Sequence, residues 1–323
     1  MTKPYFDVLV IGTPCVDIVF GGLPHWPQLG IDMYCANLSV GVGNTFNAAA
    51  TLSRLGLRVG LLCGLGNDFF SRYMLEQIDN AAISREFITF HDQPMFSVSV
   101  SLPYAGDRGF VSYSNVTYNV AVPCIGPVST THAQLEDTLV AAMQNLFDRY
   151  NFGALLMYAH PDLLPFINIM KASGARLFFD VGCNPQDTLA VVRHADFFMP
   201  NHVEAAKITG VETAEESARI LAEYVPTAII TIGPRGVVAC QQGELTYCAT
   251  HPLEKEVIDT TGAGDAFDGG FIYGILKGYS LSDSLHCGTI CGSLSTTALT
   301  GTAAVPTVEE LESLRRQFLT QEI

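Results

Sequence analysis

The stretch Asp259-Thr260-Thr261-Gly262-Ala263-Gly264-Asp265-Ala266-Phe267, followed by Gly269-Gly270-Phe271, decides how the chain is read. Small residues around a strand-to-helix turn let backbone N–H groups converge at a helix N-terminus, where the dipole favours an anion. Asp265 then lies at the edge of an anion site. A carboxylate there is costly unless it acts on a proton, as a general base beside a phosphoryl acceptor does. An N-capping aspartate after a Gly-rich turn is the plainer reading. A single Gly-x-Gly would favour the cap; nine consecutive residues of this composition favour the anion site.

Working outward, short β-rich runs alternate with helical stretches. Asp7–Gly12, Val59–Gly64, Ala154–Tyr158, Arg176–Asp180, Phe197–Pro200 and Ala228–Gly233 read as buried strands. Asn44–Leu55, Phe69–Ile78, Gln134–Tyr150, Leu163–Ser173, Val203–Ile208 and Ala214–Tyr224 carry apolar residues at helical spacing. This alternation predicts an α/β fold: a mostly parallel sheet with helices on both faces and ligands at the carboxyl ends of the strands. Two stretches break the rhythm. Phe20–Val40 is rich in Gly and Pro and ends in the strand-like Met33–Val40; Met95–Leu102 and Phe110–Asn115 flank a turn at Tyr104–Gly109. Phe96, Val98 and Val100 alternate with Ser97, Ser99 and Ser101, the period of a half-exposed strand pair. The chain reads as one domain over residues 1–323 with a small β-sheet from segments near 19–40 and 95–119, either edge hairpins or a lid.

Composition supports a large core and narrows the partners. The 323 residues are 48% hydrophobic and 15% charged, with 17 Lys plus Arg against 32 Asp plus Glu, a formal charge of −15. Such acidity argues against nucleic acid, whose nonspecific affinity comes from Lys and Arg. No apolar run approaches membrane-spanning length, and no basic segment and cleavage site opens the chain. Nine cysteines without a Cys-x-x-Cys pair read as reduced thiols rather than a metal site. A cytoplasmic protein is expected.

The Gly-rich segment resembles the second signature of the ribokinase-like carbohydrate kinases, also called the phosphofructokinase-B family. The similarity extends along nearly the whole chain. Gly12-Thr13-Pro14-Cys15-Val16-Asp17 looks like the family's first strand and turn, and Gly41-Val42-Gly43-Asn44-Thr45-Phe46-Asn47 with Arg54-Leu55-Gly56 resembles the first signature. Gly64-Leu65-Gly66-Asn67-Asp68, the lid turn Asp107-Arg108-Gly109, Asn201-His202-Val203-Glu204 and Ile230-Thr231-Ile232-Gly233-Pro234-Arg235-Gly236 follow in family order.

The resemblance implies a three-layer α/β/α kinase with a β lid. ATP and Mg²⁺ are then cofactors and a small sugar the partner, with Asp265 as general base and Gly262, Ala263 and Gly264 as the anion site. Asp17, Gly43, Asn47, His160 and Asp265 are implied to bind substrate. Asn201, Glu204, Thr231, Gly233, Gly236 and Gly264 are implied on the nucleotide side, Glu204 ordering Mg²⁺ through water. Asp259 and Thr261 are implied to hold K⁺, and an exposed lid could pair with a second copy. Each residue also has a plainer reading: Asp17 as a turn residue, Asn44 as a helix cap, Asn201 and Glu204 as a capped helix, Thr231 to Gly236 as a strand-end turn, His160 as structural.

Three features depart from the family. Val42 stands where adjacent glycines are usual, Asp180-Val181-Gly182-Cys183-Asn184-Pro185 lacks the arginine that often follows, and His160 occupies a place some sugar kinases give to an acid. A nucleoside kinase of the same family and a non-catalytic sugar or nucleotide sensor are the alternatives; the presence of Asp265 favours an enzyme over a sensor. A dinucleotide-binding dehydrogenase is set aside because Gly12-Thr13-Pro14-Cys15 replaces a Gly-x-Gly-x-x-Gly turn.

Overall fold

The computed structural model describes residues 2–105, 107–115, 132–181, 185 and 188–319. Residues 182–184 of the Asp180 element, Cys124, and the side chains of Asp107 and Arg108 lie outside the described set. The chain runs through β1 (Tyr5–Ile11), β2 (Pro14–Gly21), β3 (Asn37–Asn44), α1 (Thr45–Arg54), β4 (Val59–Leu65), α2 (Phe69–Asn80) and β5 (Ile88–Phe90). It continues with β6 (Ser97–Tyr104), β7 (Asp107–Ser114), α3 (His132–Arg149), β8 (Asn151–Ala159), α4 (Ile167–Ala172), β9 (Arg176–Val181) and α5 (Leu189–Val192). The last part holds β10 (Phe197–Phe198), α6 (His202–Thr209), α7 (Ala214–Leu221), β11 (Thr227–Thr231), β12 (Val237–Gln241) and β13 (Glu244–Cys248). Helices α8 (Ala263–Leu276), α9 (Leu281–Ser295) and α10 (Val308–Leu319) close it.

Nine strands form the main sheet in the order β13-β12-β11-β10-β9-β8-β1-β4-β5. All pairs are parallel except β11 with β12 and β12 with β13. Strands buried on both faces explain the near-continuous apolar runs: Val8 and Val10 of β1 join one core, Leu9 and Ile11 the other. One core contains residues of α3, α4, α5 and α7, the opposite one residues of α1, α2, α8, α9 and α10. The result is the three-layer α/β architecture.

The other four strands form a separate sheet in the order β3-β2-β6-β7. Its ladder runs from Gly21 opposite Asn37 to Pro14 opposite Asn44, so Met33–Ala36, expected to begin a strand, precede it. Ala36 N–H bonds to Gly22 O and closes the loop there. The sheet thus starts at Pro14 and takes in all of Gly41–Asn44, more than the segment near 19–40. Within Leu163–Ser173, Pro165 brings a 3₁₀ turn over Pro161–Phe166 before α4, because proline supplies no N–H for a continuous helix.

Candidate active site

Helix α8 begins where the Gly-rich turn ends. Gly262 is its N-cap with φ 74°, and Asp265 is the third helical residue rather than the cap. A Cβ at Gly262 would lie 2.6 Å from Asn47 Nδ2 and 2.7 Å from Gly301 Cα, so only glycine makes this turn. Ala263 N–H bonds to Thr260 O at 3.3 Å; the first-turn N–H groups that follow it have no intrahelical acceptor and are available to an anion. Beyond its chain neighbours and its own helix backbone, no protein atom lies within 4 Å of a Cβ built on Gly264, which opens onto free space.

Asn47, buried in the first turn of α1, donates Nδ2 to Asp265 Oδ2 at 3.1 Å. Burial pushes the Asp265 carboxyl up to about 7; the Asn47 and Tyr158 hydrogen bonds oppose this, and the charges of Asp17 and Glu204 add to it. Asp17 is pushed up to about 6, first by burial and then by Asp259. Its carboxylate packs against Gly43, where any Cβ would collide with it. The structure therefore brings Asp17, Gly43, Asn47 and Asp265 together. Asn44 does not cap α1: at φ 60° it donates Nδ2 to Thr13 O at 2.9 Å and accepts from the Tyr158 hydroxyl.

On the other side of α8, a cavity of about 420 Å³ is lined by Thr231, Gly233, Gly236, Thr260, Ala263 and Gly264. Its volume falls in the range of small-molecule sites. His251, Phe267 and Thr289 also line it, contributions from the loop after β13 and from α8 and α9 that no local motif announces. Asn201 and Glu204 form a capping box on α6: Asn201 Oδ1 accepts from Val203 and Glu204 N–H, and Glu204 Oε2 accepts from Asn201 N–H. Burial nonetheless raises the Glu204 carboxyl.

Asp259 Oδ1 accepts from Thr261 N–H at 2.9 Å and Oδ2 from Thr300 N–H at 3.3 Å, while Thr261 Oγ1 is buried without a protein partner. His160, at the end of β8, accepts at Nδ1 from Asp162 N–H at 3.2 Å and caps the 3₁₀ turn. Asp68, in the Gly64–Asp68 motif, caps α2 and accepts from Met95 N–H at 2.9 Å, tying the entry of β6 to the main layer.

Two carboxyls were given no site role in the sequence, Asp268 unread and Asp180 noted only as the first residue of the element that lacks an arginine. Asp180, and Asp268 one turn beyond Asp265, line a cavity of about 10 Å³ with Thr45, Tyr158 and Asp265, room for about one water. Both are held well above the usual carboxylate range, first by burial and then by neighbouring acids. An aspartate three residues after Asp265 in an otherwise apolar helix was the available signal. Among the described residues, no three His, Cys, Asp or Glu side chains are grouped to hold a metal ion. No described helix is long and apolar enough to cross a membrane.

Residues 163–308 match the family described as pfkB family carbohydrate kinase. That stretch resembles a pfkB family carbohydrate kinase. Asn201, Glu204, Thr231 to Gly236 and Asp259 to Asp265 lie within the matched residues; Asp17, Gly43, Asn47 and His160 precede them. The ribokinase of Haemophilus influenzae is 23% identical over 311 residues, covering 93% of this chain and 95% of that one. The structure of Arabidopsis thaliana ribokinase complexed with ribose and ATP superposes with a TM-score of 0.76 at 19% identity, covering 98% of this chain and 99% of that one. The Methanocaldococcus jannaschii nucleoside kinase, a member of the ribokinase family, gives 0.72 at 17% identity, covering 98% of this chain and all (100%) of the other. The fold is ribokinase-like.

Proposed function

We propose that the protein transfers the γ-phosphoryl group of ATP to a hydroxyl of a small sugar, with Asp265 as general base. The observation that carries this is the placement of Asp265: on the first turn of α8, bonded to Asn47, with its carboxyl pushed up to about 7. A base with that affinity is half ionised near neutral pH, where proton acceptance is most effective. Asp17 anchors the acceptor, Asp265 takes the proton of the attacking hydroxyl, and the new O–P bond forms as ADP leaves. The first-turn amides of α8 meet the charge on the transferring group.

The open backbone at Gly233 and Gly264 fits a nucleotide whose phosphates end at α8. Glu204, with Asn201 fixing its rotamer, is suited to order water around Mg²⁺, which supplies charge neutralisation of the phosphates when bound. Asp259 and the buried, unpartnered Thr261 hydroxyl fit K⁺ as hard oxygen ligands. Activity equal in K⁺ and in a bulky organic cation at the same ionic strength argues against that ion.

A nucleoside acceptor is a second reading, since the same fold serves the M. jannaschii nucleoside kinase. A panel of D-ribose, D-fructose, 2-dehydro-3-deoxygluconate and cytidine, assayed for acceptor-dependent ADP release, tests both. Release with none of them removes the kinase reading.

We further propose a homodimer through the small sheet. One of its faces carries Leu38, Val40, Val111 and Tyr113, at 62%, 46%, 66% and 59% exposure, an apolar patch of the kind that marks an interface. Light scattering should show a dimer for the native chain and a monomer for Val111→Asp.

A further inference from the structure

The water-sized cavity beside Asp265 is walled by three carboxyls from two elements. Asp265 and Asp268 stand three residues apart on α8 and share a face, and Asp180, opposite Tyr158 in the register of β8 and β9, meets them there. Val10, Ala48, Leu156 and Met157 supply apolar wall, and no Lys or Arg lines the space. Asp268 is 4% exposed. The charged groups that act on it are all acids: Asp180 on β9, Asp265 on its own helix and Glu204 on α6. Thr45, the first residue of α1, is also 4% exposed and lines the same cavity, and its Oγ1 has no hydrogen-bond partner among the described residues.

Three carboxylates around so small a space cannot all be ionised, because like charges repel in a poorly solvated site and a proton settles on the group least able to carry charge. Hydrogen bonding decides which group that is. Asp265 accepts from Asn47 Nδ2 at 3.1 Å and from the Tyr158 hydroxyl, which together oppose burial and the charges of Asp17 on β2 and Glu204 on α6. Asp180 Oδ1 accepts from Val181 N–H at 2.7 Å. For Asp268, burial and the three acids all raise the carboxyl and no hydrogen bond opposes them. The negative charge therefore belongs to Asp265 and the proton to Asp268. A protonated carboxyl donates, as an ionised one cannot. One water in the cavity can accept from it, meet the Thr45 hydroxyl and donate to Asp265, which gives that water the two to four partners a buried water needs.

We infer that Asp268 is a positioning residue for the base: its acid O–H, relayed by one water shared with Thr45, donates to the Asp265 carboxylate. The proton stays with Asp268 and no bond is made or broken in this role. The inference rests on the kinase reading and deepens it, giving the second aspartate of α8 a part in keeping the first one ionised. A replacement that keeps a donor preserves the arrangement; an apolar replacement breaks it.

The test is the pH profile of kcat/KM for wild type, Asp268→Asn, Asp268→Leu and Thr45→Val, measured with whichever of D-ribose, D-fructose, 2-dehydro-3-deoxygluconate and cytidine is turned over fastest. Asp268→Asn keeps an N–H donor and cannot ionise, so its acid limb should stay where the wild type's lies. Asp268→Leu removes the donor, and its limb should move up by about one pH unit, about 10-fold in activity on the acid side. Thr45→Val should move the limb the same way by less. Infrared spectra at pH 8, where Asp265 is ionised, should show a protonated-carboxyl band that weakens in Asp268→Asn and persists in Asp265→Asn. A limb that moves down in Asp268→Asn, as removal of an ionised neighbour would cause, overturns the assignment. So does an unmoved limb in Asp268→Leu, or in Thr45→Val where the leucine variant does not fold, and so does a wild-type spectrum without the band. Each of these leaves the kinase reading standing. No turnover with any acceptor overturns the kinase reading and this inference with it.

Discussion

Asn47 donates its side-chain amide to the Asp265 carboxylate across 3.1 Å, joining the first turn of α1 to the first turn of α8. Asn47 therefore favours the ionised form of a carboxyl that burial and neighbouring acids push the other way. Replacing it with Ala should shift the acid limb of kcat/KM to higher pH and lower activity at pH 7 by about 10-fold, a charged hydrogen bond's worth. An unmoved limb in Asn47→Ala would show that the contact does not set the base.

Asp265→Asn keeps the shape and removes proton acceptance. Turnover should fall by about 10²–10⁴-fold while ATP binding, read by calorimetry, changes little. Because Gly262 and not Asp265 caps the helix, loss of a cap cannot explain the fall. Near-normal turnover would sink the mechanism.

The pH dependence has a definite sign. Only ionised Asp265 accepts a proton, so kcat/KM should drop as pH falls below about 7. Stability runs the opposite way. Folding raises the proton affinities of Asp265 and Asp17, so the folded chain binds more protons than the unfolded one between the ordinary aspartate value and about 7. Their contribution is most favourable at low pH and is lost as pH rises through that window. Thermal melts of Asp265→Asn should show a gain over wild type at pH 8 that shrinks toward pH 4.

Gly43→Ala drives a methyl into the Asp17 carboxylate. The acceptor KM should rise 10-fold or more by order of magnitude, since the anchor must turn aside to relieve the overlap. Nucleotide binding should hold. Gly264→Ala has free space around its new methyl, so its melting temperature should match wild type while ATP binding weakens. Equal ATP affinity in Gly264→Ala would argue against phosphate at this turn.

Gly270→Ala tests packing rather than chemistry. Its Cβ would meet the Cys287 carbonyl and stand 2.8 Å from Cys291 Sγ, where α8 crosses α9. Overpacking of this kind costs about 1–3 kcal/mol, readable by denaturant titration.

The main sheet was legible because β1, β4, β8, β9 and β11 are buried on both faces and so read as unbroken apolar runs. The hairpin of β12 and β13 was not, because its turn rests on Gln242 at φ 53° and Gly243 at φ 84°, and Gln-Gly is a weak turn signal. Alternation revealed the two faces of β6 but could not say that the serines turn inward; that depends on what covers each face. Asp265 stood out through its neighbours in sequence. Asp180 and Asp268 did not, since their meeting depends on a strand end and a helix that only tertiary packing brings together.

Both ends of the β2–β3 hairpin leave the main layer at one place. Only Gly12 and Thr13 separate β1 from β2, β3 runs directly into α1, and Asn44 clamps the two crossings by bonding Thr13 O. Met95, held by Asp68, fixes the start of β6 at the same end of the sheet. The small sheet is consequently a lever with its fulcrum beside the site. At about 3.3 Å per residue, Asp17 sits about 10 Å from that fulcrum and Gly21 about 23 Å. Any swing of the sheet carries its tip more than twice as far as Asp17, while Asn47, just past the fulcrum, keeps its grip on Asp265.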